Sequence, residues 1–140
     1  MSDFEQMKKK IIETNDQNYG KEIKAEYGEE VYEATNNIIS GLTEQQWKDS
    51  EEMRITVEDM LRRLTPSGDP KSRDAQEMAA LHGKWASTFW QDGMYSHEAH
   101  VALVSMYTED ERFKAYYDAI APGAAAFLRE AVEALDAEDD

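Results

Sequence analysis

The sequence contains no cysteine, which excludes a disulfide framework, a thiol nucleophile and any metal site built on thiolates. Glycine and proline are few, with 7 and 3 residues, and they fall where helices are expected to end. No apolar run approaches the length of a bilayer-spanning helix, and no signal-peptide pattern opens the chain. These absences favour a cytoplasmic, all-helical protein with no membrane partner.

Basic residues are also in short supply. Lysine and arginine number 15 against 30 acidic residues, which gives a formal net charge of −15. Because affinity for nucleic acids comes largely from neutralising phosphates with basic side chains, we expect no direct nucleic-acid binding by this chain. Its 140 residues, 41% of them hydrophobic, suffice for one domain with a real core.

The strongest helical patterns follow residue 43. Thr43 and Gln46 form a predicted capping box, in which each side chain satisfies the other residue's free amide. Apolar residues then recur on one helical face from Met53 to Leu64. The remaining helix starts are expected at Asp69 with Pro70 (a helix running to about Asp92–Gly93), at Ser96, at Thr108 with Glu111, and at Pro122. Nothing predicts a strand.

The leading part of the chain has a thinner apolar content. Three short helices are expected there, over Asp3–Tyr19, Lys21–Tyr27 and Glu29–Ile39, with Gly41 ending the last. These segments bury little and are interrupted often. We therefore expect a flexible N-terminal helical lid over residues 1–42 and a helical ligand-binding core over residues 43–140.

Aromatic residues and histidines concentrate between positions 81 and 117. Trp85 and Phe89 lie on an apolar helical stripe, where core packing alone explains them. Trp90 and Tyr95 lie off the main stripes, where burial alone does not require large rings. Flat apolar rings with one polar tip suit a rigid heteroaromatic ligand, and His82 would hydrogen-bond to it. The residues thus leave two alternatives, an ordinary core or a ligand cleft.

The same residues give little support to catalysis or metal binding. His97 and His100 are three residues apart, not four as in a zincin helix, and no Glu-x-x-His pair of the di-iron type is present. Ser96 is better explained as a helix cap than as a nucleophile. We predict no catalytic residue, no metal and no cofactor; haem ligation by His82 stays an alternative that a visible spectrum would test.

Several motifs in order along the chain resemble the TipAS domain, the antibiotic-recognition domain attached to some MerR-type transcription activators. They are Leu81-His82-x-x-Trp85, Phe89-Trp90, His97-Glu98-Ala99-His100, and Met106-Tyr107 through Tyr116-Tyr117-Asp118. The resemblance implies a single globin-like helical domain without haem. It also implies non-enzymatic binding of bulky hydrophobic antibiotics, thiopeptides above all, in a cleft over which the leading helices close.

Carried over to this sequence, the resemblance implies a set of ligand-binding residues: His82, Trp85, Phe89, Trp90, Tyr95, Tyr107, Tyr116 and Tyr117. Some family members trap thiopeptides on a cysteine thiol; since this chain has none, binding is expected to be reversible. The family's DNA-binding domain is absent from these 140 residues. The chain is then either the effector domain of a longer regulator or a stand-alone drug-binding protein. The alternative function is a protein-interaction module whose aromatic groove receives a partner helix.

Overall fold

The computed structural model describes residues 3–15, 29–90 and 93–135. Within these ranges the chain forms seven α-helices, one short 3-10 helix and no strand. The α-helices are α1 (Asp3–Asn15), α2 (Glu29–Gly41), α3 (Glu44–Leu64), α4 (Arg73–Ser87), α5 (His97–Glu109), α6 (Glu111–Ile120) and α7 (Ala124–Glu133), and the 3-10 helix is Thr65–Ser67. The helix predicted over Lys21–Tyr27 lies outside the described residues, as does the end of the first predicted helix.

Two predicted helix starts are confirmed by their hydrogen bonds. The backbone N–H of Gln46 donates to Thr43 Oγ1 at 3.1 Å, and the Thr43 N–H donates to Gln46 Oε1 at 2.9 Å. This reciprocal pair is the expected capping box at the start of α3. Ser96 caps α5 by accepting from the Ala99 N–H at 3.0 Å. Both caps depend on residues three positions apart, so the sequence alone locates them.

The start of α4 was predicted wrongly at Asp69 and Pro70. The helix begins at Arg73, and Ser72 is its cap, accepting from the Ala75 N–H at 3.2 Å. The Asp69 carboxylate instead accepts from the backbone N–H two residues on, at 3.1 Å. This local bond closes a turn before the helix, so the acidic side chain is not available to cap it.

The end of α4 also differs from the prediction. The helix ends at Ser87, not near Asp92–Gly93, and the next three residues form turns with i to i+3 hydrogen bonds. The Ser87 hydroxyl donates to the Gly83 carbonyl at 2.8 Å, and the Thr88 hydroxyl to the carbonyl four residues before it at 3.4 Å. Hydroxyls bonded back in this way weaken the last turn of a helix.

The prediction that Thr108 caps α6 is wrong. Asp110 is the cap and accepts from the Arg112 N–H at 2.9 Å, while the Thr108 hydroxyl donates backward to the Ser105 carbonyl at 2.8 Å. Two candidate caps stand two residues apart, and the carboxylate is the stronger acceptor for a helix N-terminus.

The last helix starts two residues later than Pro122. It begins at Ala124, after Gly123, whose φ of 85° lies in the left-handed region that glycine adopts without strain. The proline therefore belongs to the turn that precedes α7. The reversal at Gly123 separates that turn from the helix.

The core lies between α3, α4, α5 and α7. Its fully buried apolar side chains include Leu61, Met78, Val104 and Leu128, one from each of these helices. Helix α7 packs against both α4 and α5, and the Gln76 side chain ties α4 to it by donating to a carbonyl of α7 at 3.0 Å. The helices that follow residue 43 are thus fixed to one another by a single apolar cluster.

Helix α1 lies outside this cluster, and its Lys8 side chain binds carbonyls at the end of α2. This side chain is 3% exposed, and its ammonium donates to the carbonyls of Ser40 at 2.7 Å and Leu42 at 2.8 Å. The Phe4 ring also meets Trp47 edge to face, with ring centroids 6.5 Å apart. Among the described residues, none from α1 or α2 belongs to the main apolar cluster.

Candidate functional site

An open cleft of about 330 Å³ lies where α3, α4, α5 and α6 meet. Each of these helices contributes lining residues: Arg54, Val57 and Glu58 from α3, His82 and Trp85 from α4, Tyr107 from α5, and Arg112, Phe113, Tyr116 and Tyr117 from α6. The cleft is within the size range of small-molecule pockets, and its lining combines rings with a few polar groups, as such pockets do.

The floor of the cleft is a stack of aromatic rings around Tyr107. Its ring stacks on Tyr117 with centroids 4.6 Å apart and on Phe113 at 5.5 Å. The His82 ring stands perpendicular to Tyr107 at 5.7 Å, and Trp85 lies beside His82 at 5.4 Å. The parts of these rings that line the cleft are apolar, and the tyrosines add hydroxyl groups to them.

The rim of the cleft carries charge. Arg54 donates to Glu51 and to Glu58, each at 2.7 Å, and the Tyr116 hydroxyl donates to Glu58 at 2.7 Å. Hydrogen bonding to Glu51, reinforced by Glu58, raises the pKa of Arg54 above its ordinary value. Arg112, the other guanidinium of the lining, pairs with Asp110 at 2.7 Å. The rim therefore offers both donors and acceptors.

The two tyrosines of the floor stay protonated at any physiological pH. Burial raises the pKa of Tyr107 to about 12, and it also raises the pKa of Tyr117, with Tyr107 adding to the effect. Their rings stack on each other with centroids 4.6 Å apart. The floor is thus neutral, and it can donate or accept hydrogen bonds without a change of charge.

His82, which is part of the floor, forms a buried pair with His100, which is not among the lining residues. His82 is 2% exposed and His100 is 0% exposed, and the Nδ1 of His82 lies 2.8 Å from the Nε2 of His100. The Tyr95 hydroxyl lies 2.9 Å from the other nitrogen of His100, Nδ1. Burial, with His100 adding, lowers the pKa of His82 to about 3, so this ring is neutral near pH 7.

Glycine is required at position 83 for this packing. A Cβ atom there would lie 2.9 Å from His100 Cε1 and 2.9 Å from the Tyr95 hydroxyl oxygen. Because Gly83 has no side chain, the rings of His100 and Tyr95 can come close to α4 at this position, directly after His82.

The structure brings together most of the residues that the sequence predicted for the site. His82, Trp85, Tyr107, Tyr116 and Tyr117 line the cleft. Phe89 lies behind Trp85, edge to face at 5.4 Å. Trp90 pairs with Tyr95 at 6.0 Å, next to His100, and neither ring is among the lining residues.

Sequence reasoning missed the residues that α3 contributes and two from the start of α6. Val57 lies on the apolar stripe of α3, and it stands between Arg54 and Glu58, which are four residues apart and so share one face of the helix. A pair of opposite charges at this spacing is common on helix surfaces, so it does not predict a ligand site. Arg112 and Phe113 fall in a motif that supports the family resemblance, but nothing in that motif marks them as lining a cleft.

Among the residues that the structure describes, no group of three or more His, Asp or Glu side chains is placed to hold a metal ion. The His97 imidazole lies 3.0 Å from the Val132 carbonyl. Across residues 3–15, 29–90 and 93–135, no helix combines the length and apolar character needed to cross a membrane.

Comparison with known proteins finds a family, sequence relatives and a solved structure that are similar to this chain. A model of the TipAS antibiotic-recognition domain matches residues 19–135. The HTH-type transcriptional activator TipA of Streptomyces coelicolor is 29% identical over 119 residues, covering 81% of this chain and 45% of the activator, and TipA of Streptomyces lividans matches to the same extent. The solved structure of TipAS from Streptomyces lividans in complex with nosiheptide superposes with a TM-score of 0.70 at 26% identity, covering 85% of this chain and 83% of that one.

The fold is that of an all-α, globin-like helical domain. More particularly, the chain belongs to the TipAS antibiotic-recognition domain family, which confirms the resemblance seen in the sequence. The chain spans about half the length of the curated relatives it matches.

Proposed function

We propose that this protein binds bulky, hydrophobic, multi-ring antibiotics of the thiopeptide kind in the cleft between α3, α4, α5 and α6. The observation that carries the proposal is the aromatic floor around Tyr107, open to a cleft of about 330 Å³. Membership of the TipAS family and the nosiheptide complex of its structural relative support the same ligand class. The proposed role is binding without catalysis.

In this proposal the ligand rings lie against the floor, and its amide groups meet the rim. Offset or edge-to-face contacts with Trp85 and Tyr107 bury apolar ligand area. The guanidinium groups of Arg54 and Arg112 donate to ligand carbonyls, and the Glu58 carboxylate accepts from ligand N–H groups. The side chains of the rim are part-exposed, so they adapt to different polar groups more readily than the buried floor does.

The proposal extends to the leading segment, residues 1–42, as a lid that closes over the bound ligand. Its support is that no described residue of α1 belongs to the main apolar cluster, while the contacts of α1 include those of Lys8 and the Phe4–Trp47 pair. An attachment of that kind can be released and remade without disturbing the core. A segment that closes on binding gives up part of its contact energy to ordering, yet it can enclose a large ligand.

The biological use depends on the longer protein in which such a domain acts. We propose either the effector domain of a MerR-type transcription activator, joined to a DNA-binding domain, or a stand-alone protein that gives tolerance by sequestering the drug. The family and the activators of the two Streptomyces species support the first use. In both uses the partner of this chain is the hydrophobic small molecule.

Calorimetric titration with nosiheptide tests the proposal, using two tryptophan variants as a matched pair. Trp85→Ala removes a ring of the cleft, and we expect nosiheptide affinity to fall by about tenfold or more. Trp90→Ala removes an indole next to Tyr95, outside the cleft lining, and should keep the affinity within about threefold. Equal affinities for all three proteins would reject this cleft, and absence of any binding would reject the thiopeptide class.

A further inference from the structure

Four side chains form a continuous hydrogen-bonded series that runs from the loop before α5 to the floor of the cleft. The series starts at the Tyr95 hydroxyl, 2.9 Å from His100 Nδ1. It continues from His100 Nε2 to His82 Nδ1 at 2.8 Å, and from His82 Nε2 to the Tyr107 hydroxyl at 3.4 Å. We call this series the histidine relay. The two imidazole planes differ by 6°, as expected when nitrogens meet along the ring planes.

The number of hydrogens in the relay restricts it to two arrangements. A neutral imidazole carries one N–H, and only one of the two facing nitrogens can donate in the contact between His82 and His100. A buried imidazolium is far more costly than a buried neutral ring, which favours the neutral pair. If His100 donates through Nε2, both rings carry their hydrogen on Nε2. If His82 donates through Nδ1, both rings carry it on Nδ1.

The two arrangements present different groups to the cleft. In the first, His82 Nε2–H donates to the Tyr107 oxygen, so the hydrogen of the Tyr107 hydroxyl points away from His82 and can be donated to a ligand in the cleft that Tyr107 lines. In the second, the Tyr107 hydroxyl donates to His82, so its oxygen offers lone pairs on the cleft side. A ligand that needs a donor therefore selects the first arrangement, and a ligand that needs an acceptor selects the second.

We propose that the histidine relay lets the floor of the cleft present either a hydrogen-bond donor or an acceptor to a bound ring system, with His100 and Tyr95 as specificity-determining positioning residues. This inference rests on the proposed function, since it concerns recognition in the same cleft. Neither His100 nor Tyr95 is among the lining residues, so both act through His82. Because the relay can switch between its two arrangements, the floor can bind ring systems that donate a hydrogen bond and ring systems that accept one, and its net charge stays the same.

The tautomers of the free protein give the first test. Two-bond proton–nitrogen spectra of the protein with ¹⁵N-labelled histidine report which ring nitrogen carries the hydrogen. We expect His82 and His100 to carry it on the same nitrogen, both on Nε2 or both on Nδ1, including any exchanging mixture of these two states. If His82 and His100 carried their hydrogens on different ring nitrogens, or if His100 were doubly protonated, the relay would be overturned, whatever the protein binds.

Three small fused-ring probes of similar size give the second test. Quinoline only accepts a hydrogen bond, indole donates through its N–H, and naphthalene does neither. We expect saturating quinoline to move both histidines to the Nε2–H form and indole to move both to the Nδ1–H form, while naphthalene leaves the free-state ratio in place. Tautomers that ignore the probe, or failure of both polar probes to bind, would overturn the proposal; nosiheptide binding in the same sample would leave the proposed function standing.

Tyr95→Phe tests whether the far end of the relay reaches the cleft. The variant removes the oxygen that accepts from His100 Nδ1–H in the second arrangement, and buried N–H groups tolerate loss of a partner less well than acceptors do. We expect the ratio of the quinoline and indole dissociation constants to shift by about fivefold toward quinoline, the equivalent of one hydrogen bond. His97→Gln, which removes an imidazole of α5 outside the relay, should leave the ratio unchanged. An unchanged ratio in the folded Tyr95→Phe protein would overturn the proposal.

Discussion

The Tyr116 hydroxyl donates a hydrogen bond of 2.7 Å to the Glu58 carboxylate and so joins α6 to α3 across the rim of the cleft. The same carboxylate accepts from Arg54. Because Tyr116 is 49% exposed, we expect Tyr116→Phe to lower the free energy of unfolding by only about 0.5–1 kcal/mol. Urea unfolding of Tyr116→Phe, Glu58→Gln and the double variant measures the coupling between them. Strictly additive effects would show that the contact contributes nothing.

The attachment of α1 gives a second prediction. Lys8→Met leaves the Ser40 and Leu42 carbonyls without their ammonium donor, and we expect a cost of about 1–3 kcal/mol. Since the bonds join α1 to the end of α2, the amides of α1 should exchange with solvent faster while those of α7 are unaffected. Lys9→Met is the matched control, because Lys9 is exposed. Equal exchange in both variants would contradict the assigned role of Lys8.

Stability should depend on pH through His82. Its pKa is lowered to about 3 in the folded protein, against an ordinary value of 6.5, by burial and by His100. As the pH falls below 6.5, the unfolded chain takes up a proton that the folded protein refuses, so stability is lost progressively down to about pH 3. One such group gives a slope of at most about 1.4 kcal/mol per pH unit.

Comparison with His82→Gln isolates this contribution. The variant keeps a hydrogen-bonding side chain but removes the titration, so its stability should change less than that of the original protein between pH 6.5 and 4.5. The lowered pKa of Asp110, about 2 through its hydrogen bonds with Arg112, acts only at lower pH. Parallel stability curves above pH 4.5 would show that His82 is not the titrating group.

Gly83 gives a prediction opposite in sign to the usual rule for helices. Replacing a helical glycine by alanine ordinarily stabilises a protein by about 0.4–1 kcal/mol. At Gly83 the new Cβ would lie 2.9 Å from atoms of His100 and Tyr95, so we expect Gly83→Ala to lower the melting temperature. Gly41→Ala is the control, since nothing lies within 4 Å of its Cβ, and it should be neutral or stabilising. A stabilised Gly83→Ala protein would contradict the close packing described here.

Local patterns predicted the helices well but not all of their ends. The caps at Thr43 and Ser96 follow from residues within three positions, and no competing side chain stands near them. Where two candidates lie close together, as with Thr108 and Asp110, the carboxylate is the stronger acceptor, and the Thr108 hydroxyl bonds back to the preceding helix. That backward bond depends on where the preceding helix ends, which the local pattern at Thr108 does not contain.

The residues of the site also fall into those that could be predicted from the sequence and those that could not. Tyr107 and Tyr117 could be chosen from the sequence because their family motif marks them. Glu58 could not, since it belongs to the rim only through Tyr116, 58 residues away, and through the packing of α3 on α6. His100 stands in a family motif of the sequence, but its contact with His82 arises from the approach of α5 to Gly83.

The three tryptophans of the chain lie in three separate environments. Trp47 touches Phe4 of α1, Trp85 lies in the cleft, and Trp90 rests against Tyr95 near the end of the relay. Three variants that each keep a single tryptophan would therefore report on three different regions. The emission of Trp47 would report the contact of α1 with α3, that of Trp85 the occupancy of the cleft, and that of Trp90 the loop before α5. The order in which these three regions respond to a drug could be timed by stopped flow in the unlabelled protein.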